Sequence, residues 1–159
     1  MEYYILLQLL IKSFGYLGVL ISSAILSSTI LLPYPAGIIS VLAGAALNPY
    51  LIGIFAGVGA GLGEMVGYGL GFGGKKLLEK KLGKKTVKKE WVHMKKLFHK
   101  YGGVIIFLGA AIPFPFDVLG MFCGAIHYDA KKFFILTACG KIIQHTIFAV
   151  TGNAIISLF

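Results

Sequence analysis

Five residues could do chemistry in this chain, and all five lie in apolar surroundings. Glu64 sits in Gly61-Leu62-Gly63-Glu64-Met65-Val66-Gly67-Tyr68-Gly69-Leu70-Gly71. Asp117 follows Pro113-Phe114-Pro115-Phe116. Lys141 is followed by Gln144 and His145 at i+3 and i+4, which puts the three on one helix face. A carboxylate, an ammonium and an imidazole in such segments can hold a proton, an ion or a polar headgroup. Each also has a structural alternative. Glu64 can bond to nearby backbone, Asp117 can cap a helix after the proline break, and His145 can be a packed side chain. Lys141 is expected to pair with Glu64 or Asp117, or to face a wet cavity, because an unpaired charge at membrane depth costs about 2.5–3.5 kcal/mol even on translocon scales. No Gly-rich phosphate loop, metal-ligand cluster or nucleophile–base pair is visible, so neither an enzyme nor a cofactor is expected.

The segments that must position these residues are long and uncharged. No formal charge occurs between Lys12 and Glu64, a run of 51 residues. Hydrophobic residues make up 57% of the chain and charged ones 13%, with a mean hydropathy of +0.85; soluble domains carry about 25% charged residues. A hydrocarbon core about 30 Å thick needs roughly 20 apolar helical residues, so the run is long enough for two crossings and something between. The expected class is an all-α integral membrane protein.

The divisions follow from helix breakers. Residues 3–30 read as a first spanning helix, retained because Met1 to Gln8 has no basic start and no cleavage site follows. Residues 31–48 read as a hairpin broken at Pro33-Tyr34-Pro35 and closed at Asn48-Pro49. Residues 49–72 can span, ending at Gly73-Gly74. Residues 75–100 are Lys-rich, 101–128 form a second hairpin broken at Pro113 and Pro115, and 131–158 form the last span. Glu64 is then eight residues from the end of its helix, roughly 12 Å deep, and Lys141 nine residues past Lys132, roughly 13 Å in. Cys123 and Cys139 lack metal-ligand spacing and read as packed thiols.

The two halves repeat at a shift of 80. Pro33-Tyr34-Pro35 falls on Pro113-Phe114-Pro115, Gly44-Ala45 on Gly124-Ala125, Glu64 on Gln144 and Tyr68 on Phe148. Eleven of the fifteen lysines lie in Lys75–Lys100, and there is no Arg. A Lys-rich loop beside a span marks the cytoplasmic side. The hairpins would then enter from opposite faces as re-entrant elements of an inverted repeat, an architecture whose binding site lies near midplane. The net charge of +9 therefore points to the membrane and not to nucleic acid. Val87, Trp91, Met94, Leu97 and Phe98 at helical spacing predict an amphipathic helix in the interface, attracting anionic headgroups. A homodimer is an option, without an interface pattern in the sequence.

Taken in order, Pro33-Tyr34-Pro35, Gly63-Glu64, Gly67-Tyr68, Gly71, Tyr101-Gly102, Ile112-Pro113-Phe114-Pro115-Phe116-Asp117, Gly120, Gly124, Phe133 and Gly140-Lys141 resemble the DedA, or VTT (SNARE-associated), membrane protein family over roughly residues 30–155. The second hairpin is similar to the vacuole membrane protein branch. The resemblance implies two opposed re-entrant hairpins and movement of lipid between leaflets, either as a phospholipid scramblase or as a flippase of polyprenyl phosphate linked to the proton gradient. It matches Glu64 to the family's acid after Gly, Asp117 to the Phe-Asp of the second hairpin, and Lys141 to the basic residue after Gly140. Gly37-Ile38, Ala110 and Phe116 stand where many bacterial members carry an acid and arginines, so Asp117 and Lys141 would have to supply the charge. The function expected is lipid translocation, in the cell membrane if the source is prokaryotic. The alternatives are a proton- or ion-coupled transporter of a small solute and a membrane scaffold without transport.

Overall fold

A computed structural model describes residues 13–28, 37–44, 46–82, 98, 100–113 and 116–157, with the backbone alone at 75–82 and 156–157. The described residues form helices and no strand: α1 (Tyr16–Ser27), α2 (Gly37–Gly44), α3 (Pro49–Leu82), α4 (Lys100–Ala111), α5 (Asp117–Ala125) and α6 (Ala130–Ser157). Pro33, Pro35 and Pro115, with Val87, Trp91, Met94 and Leu97, lie outside the described residues. Pro113 follows α4 and is exposed.

Local chemistry sets the starts of the two long helices. Asn48 Oδ1 accepts from the backbone N–H of Tyr50 at 3.0 Å, and Pro49, with no N–H to leave unpaired, takes the first helical position. Asp129 Oδ1 accepts from the Lys132 N–H at 2.8 Å at the start of α6. Between α5 and α6 the chain turns through His127, which has a left-handed φ of 55. There the Tyr128 N–H bonds the Cys123 carbonyl at 2.9 Å and the His127 N–H bonds that of Gly124 at 3.0 Å, a Schellman closure with histidine in the place glycine usually holds.

The long helices cross antiparallel through glycine. Gly53 lies against Thr146, Gly57 against Ile142 and Gly61 against Ala138. A Cβ on Gly57 would come 2.5 Å from Ile142 Cα, so the backbones touch. Small residues at every fourth position allow this approach, and lipid, being as apolar as leucine, drives association chiefly through such packing.

The short helices complete two matching units. α1 runs parallel to α3, with Leu20 over Gly59 and Ala24 over Gly63; α4 runs parallel to α6, with Phe107 and Ala110 over Gly140. The return arms cross over: α2 packs on α6, and α5 packs on α3. Val41 meets Gly152 as Met121 meets Gly71, and Gly44 meets Ala149 as Gly124 meets Tyr68. These pairs reproduce the shift of 80 residues to within a position. Each unit is thus a helical hairpin, whose arms run in opposite directions, followed by one long helix.

The first unit corrects the expected layout. The segment read as a span over 3–30 contains α1, which is preceded by a break at Gly15 (φ 54) and is 12 residues long, about 18 Å. It is the counterpart of α4 and so the first arm of hairpin 1; residues 3–12 lie outside the described residues. The expected stop at Gly73-Gly74 is also overrun, because α3 continues to Leu82. Glycine costs a helix about 1 kcal/mol relative to alanine but leaves its hydrogen bonds intact. Phe98, assigned from sequence to an interfacial face, is buried against Phe122 and Tyr128 with ring centroids 5.2 and 5.8 Å away. Of the cysteines, both free, Cys123 is buried and Cys139 is exposed on α6, so only the first is a packed thiol.

Candidate functional site

The fold turns the usual partition of side chains inside out. Leu62, Val66, Leu70, Ile135, Ile143 and Ile147 are exposed on the two long helices. Glu64, Lys141, Gln144, His145, Ser22, Ser23, Ser40 and Thr137 are buried. Water as solvent would favour the reverse. The apolar stretches Pro49–Gly74 and Ala130–Ile155 are each 26 residues long, enough to cross a bilayer. Glu64 lies 15 residues from the start of its stretch and 10 from the end, Lys141 11 and 14 from the ends of its own. Both are therefore near mid-span, and Glu64 is deeper than an end at Phe72 implied.

At that depth Lys141 Nζ stands 3.2 Å from Glu64 Oε1, with both side chains more than nine-tenths buried. Of the two partners expected for Lys141, the structure thus supplies Glu64. The ammonium also lies 5.3 Å from the centre of the Phe116 ring, within cation–π range. Phe116 is held by stacking on Phe133, which in turn packs on Tyr68, whose hydroxyl donates to the Tyr128 carbonyl. Gly120 passes over Glu64, where a Cβ would lie 3.6 Å from the Glu64 carbonyl oxygen. The bare helix surface lets α5 settle on the charged pair. Glu64 Oε2 has no hydrogen-bond partner among the described residues.

Asp117 is half-buried at the first position of α5, whose N-cap is Phe116. It is near enough for its charge to act on both Lys141 and Glu64. The carboxylate also meets its own backbone amide at the start of α5, so the capping alternative stands beside the electrostatic one, and the N-terminal end of the α5 dipole favours its negative charge.

One turn along α6 the chemistry becomes neutral. Ser40 Oγ on α2 lies 2.7 Å from His145 Nδ1, and both residues are fully buried. His145 packs edge-on to Phe148, with 6.5 Å between centroids, and Gln144 is buried beside it. The structure therefore brings Glu64, Asp117, Lys141, Gln144 and His145 into one polar row between α5 and α2. Sequence reasoning missed Ser40, Ser22, Ser23 and Thr137. Thr137 was within reach, since it precedes Lys141 by four residues and extends the same face. Serines in apolar helices give no such signal, because a hydroxyl there commonly bonds its own backbone.

The sequence profile of the VTT domain matches residues 32–154, from the first hairpin break to the last turns of α6. The chain belongs to the VTT-domain family, the DedA family of membrane proteins. No curated protein sequence and no solved structure matches it. The VTT domain takes in the whole polar row, since Ser40, Glu64, Asp117, Lys141, Gln144 and His145 all fall within the matched residues. Among the described residues no cluster of His, Cys, Asp and Glu could hold a metal ion.

Proposed function

We propose that this VTT domain moves lipid between leaflets, the headgroup passing along the polar row while the acyl chains stay in the bilayer. The observation that carries the reading is the Glu64–Lys141 pair, buried near mid-span where the two hairpins approach the crossing of the long helices. A headgroup entering hydrocarbon loses its water, and the row offers it substitute partners at the depth where the loss is greatest. Among the described residues α1, α2, α4 and α5 have at most 12 residues each, about 18 Å or less. They are too short to cross alone and long enough to dip in and return. After α4 the backbone leaves the helix at Ile112-Pro113, which is tolerable where protein or water covers it. Such a tip gives a headgroup an edge to enter by.

Orientation follows from lysines. Phe72 packs on His127 with 4.4 Å between ring centroids, and Phe98 packs on Tyr128. The end of the apolar part of α3 and the starts of α4 and α6 are therefore at one end of the bundle. Lys100, Lys131 and Lys132 are exposed there, and the Lys-rich stretch connects there. In this reading that end faces the cytoplasm and meets anionic headgroups. Residues 101–128 enter from it, and hairpin 1 enters from the other side.

The test is a dithionite quenching assay on liposomes containing the purified protein and trace fluorescent lipid. Rates equal to those of empty liposomes, for phospholipids and polyprenyl phosphates alike, would exclude the reading. One observation favours a second: Glu64 Oε2 is unpartnered among the described residues at mid-span, as a proton-carrying acid in a coupled transporter would be. That reading requires uptake that follows an imposed proton gradient and is lost in Glu64→Gln.

A further inference from the structure

His145 is not needed to neutralise anything, yet it is among the most deeply enclosed side chains, 1% exposed. One ring nitrogen, Nδ1, is bonded to Ser40; the other, Nε2, has no partner among the described residues. A buried polar atom left unpaired keeps the cost of its lost water, and native interiors avoid this unless the group has other work. Three more enclosed atoms share the condition, Ser22 Oγ and Ser23 Oγ on α1 and Thr137 Oγ1 on α6, as does Glu64 Oε2. Thr137, Lys141 and His145 succeed one another at four-residue spacing on a single face of α6.

We propose that His145 Nε2 is a donor subsite for the phosphate of a lipid headgroup, adjoining Lys141, with Ser40 as the residue that positions the ring. In the proposed subsite Ser40 donates its hydroxyl proton to Nδ1, the tautomer that leaves the ring proton on Nε2. The imidazole then offers an N–H one turn from the Lys141 ammonium, and a phosphodiester oxygen can accept from both. The arrangement discriminates by chemistry: a headgroup with a phosphate satisfies the enclosed donor, and a headgroup without one leaves it unpaired. This inference rests on the lipid reading above and adds to it the part of the lipid that is recognised.

The experiment is a binding titration of the purified full chain in non-ionic detergent. The probes are dihexanoylphosphatidylcholine, which has the phosphodiester, and dihexanoylglycerol, which lacks it. The wild type should bind the first at least about tenfold more tightly than the second, the scale of a hydrogen bond to a charged group. His145→Phe should remove that preference, and Ser40→Ala should reduce it through a loosened ring. His145→Gln, whose amide can place an N–H near the same point, should restore most of it. Thermal unfolding of each variant in the same detergent separates loss of the subsite from loss of the fold. Equal affinity of the wild type for both probes would overturn the inference. So would a preference unmoved by His145→Phe in a folded protein, or one lost equally in His145→Gln and His145→Phe. Phosphodiester binding with His145 dependence but no transport in liposomes would sink the translocation reading and leave the subsite standing.

Discussion

The two return arms, α2 and α5, rest on the long helices through nearly the same backbone contacts and cover different chemistry. Val41 against Gly152 repeats Met121 against Gly71, and Gly44 against Ala149 repeats Gly124 against Tyr68. Where α5 meets the long helices lies a charged cluster, Glu64 and Lys141 on those helices and Asp117 on α5. Where α2 meets α6 lies a neutral pair, Ser40 and His145. At the shift of 80 residues Asp117 answers to Gly37, Lys141 to Gly61, Glu64 to Gln144, Ser40 to Gly120 and His145 to Met65. The duplicated glycines build the frame, and the side chains that are not duplicated give it polarity. A symmetric pair of hairpins can thus present a charged half-site on one side of the crossing and a hydrogen-bonding half-site on the other.

The comparison breaks most sharply at the charged pair. Lys141→Met should destabilise the protein by about 3–5 kcal/mol, because Glu64 is left buried without its partner. Thermal unfolding in detergent reads this directly. Adding Glu64→Gln to Lys141→Met should restore most of the loss, since a neutral pair of similar volume is often tolerated as well as the ions were. Recovery absent from the double variant would mean that the pair does more for the fold than neutralise itself.

A smaller effect is expected from the frame, and it should be equal in the two halves. Gly44→Ala and Gly124→Ala each place a methyl group into backbone, against Ala149 and Tyr68. Each should cost about 1–3 kcal/mol, the usual scale of overpacking. A tolerated substitution in one half alone, seen as an unchanged melting temperature, would show that the duplicated contacts are not equally close.

The smallest effect concerns the turn that ends α5. His127, which closes α5, is the one non-glycine residue with a positive φ among the described residues. His127→Gly should relieve strain of about 1 kcal/mol, offset in part by loss of the ring packing on Phe72. A net gain of a few tenths of a kcal/mol is expected in the same unfolding measurement. A clear loss would show that the histidine ring contributes more than its backbone costs.

Much of this was legible in the sequence because polar residues are rare within it. Glu64, Asp117 and Lys141 stand out against apolar neighbours, and Pro33-Tyr34-Pro35 and Pro113-Phe114-Pro115 declare the repeat. Other features were not legible for physical reasons. The apolar run before Pro33 is long enough to be a span, and its role as a hairpin arm shows only when Leu20 and Ala24 are seen against Gly59 and Gly63. Gly73-Gly74 has the composition of a break, yet glycine permits a helix that its surroundings demand. Ser40 acquires meaning from a residue 105 positions away.

The central claim is that the polar row carries the headgroup, and flux measured on a folded protein without the charged pair tests it most directly. Liposomes holding the wild type and liposomes holding the double variant Glu64→Gln with Lys141→Met should be compared for dithionite-accessible lipid. The wild type is expected to expose inner-leaflet lipid well above the rate of empty liposomes, and the folded double variant to fall back to that rate. A double variant that moves lipid as fast as the wild type would contradict the account.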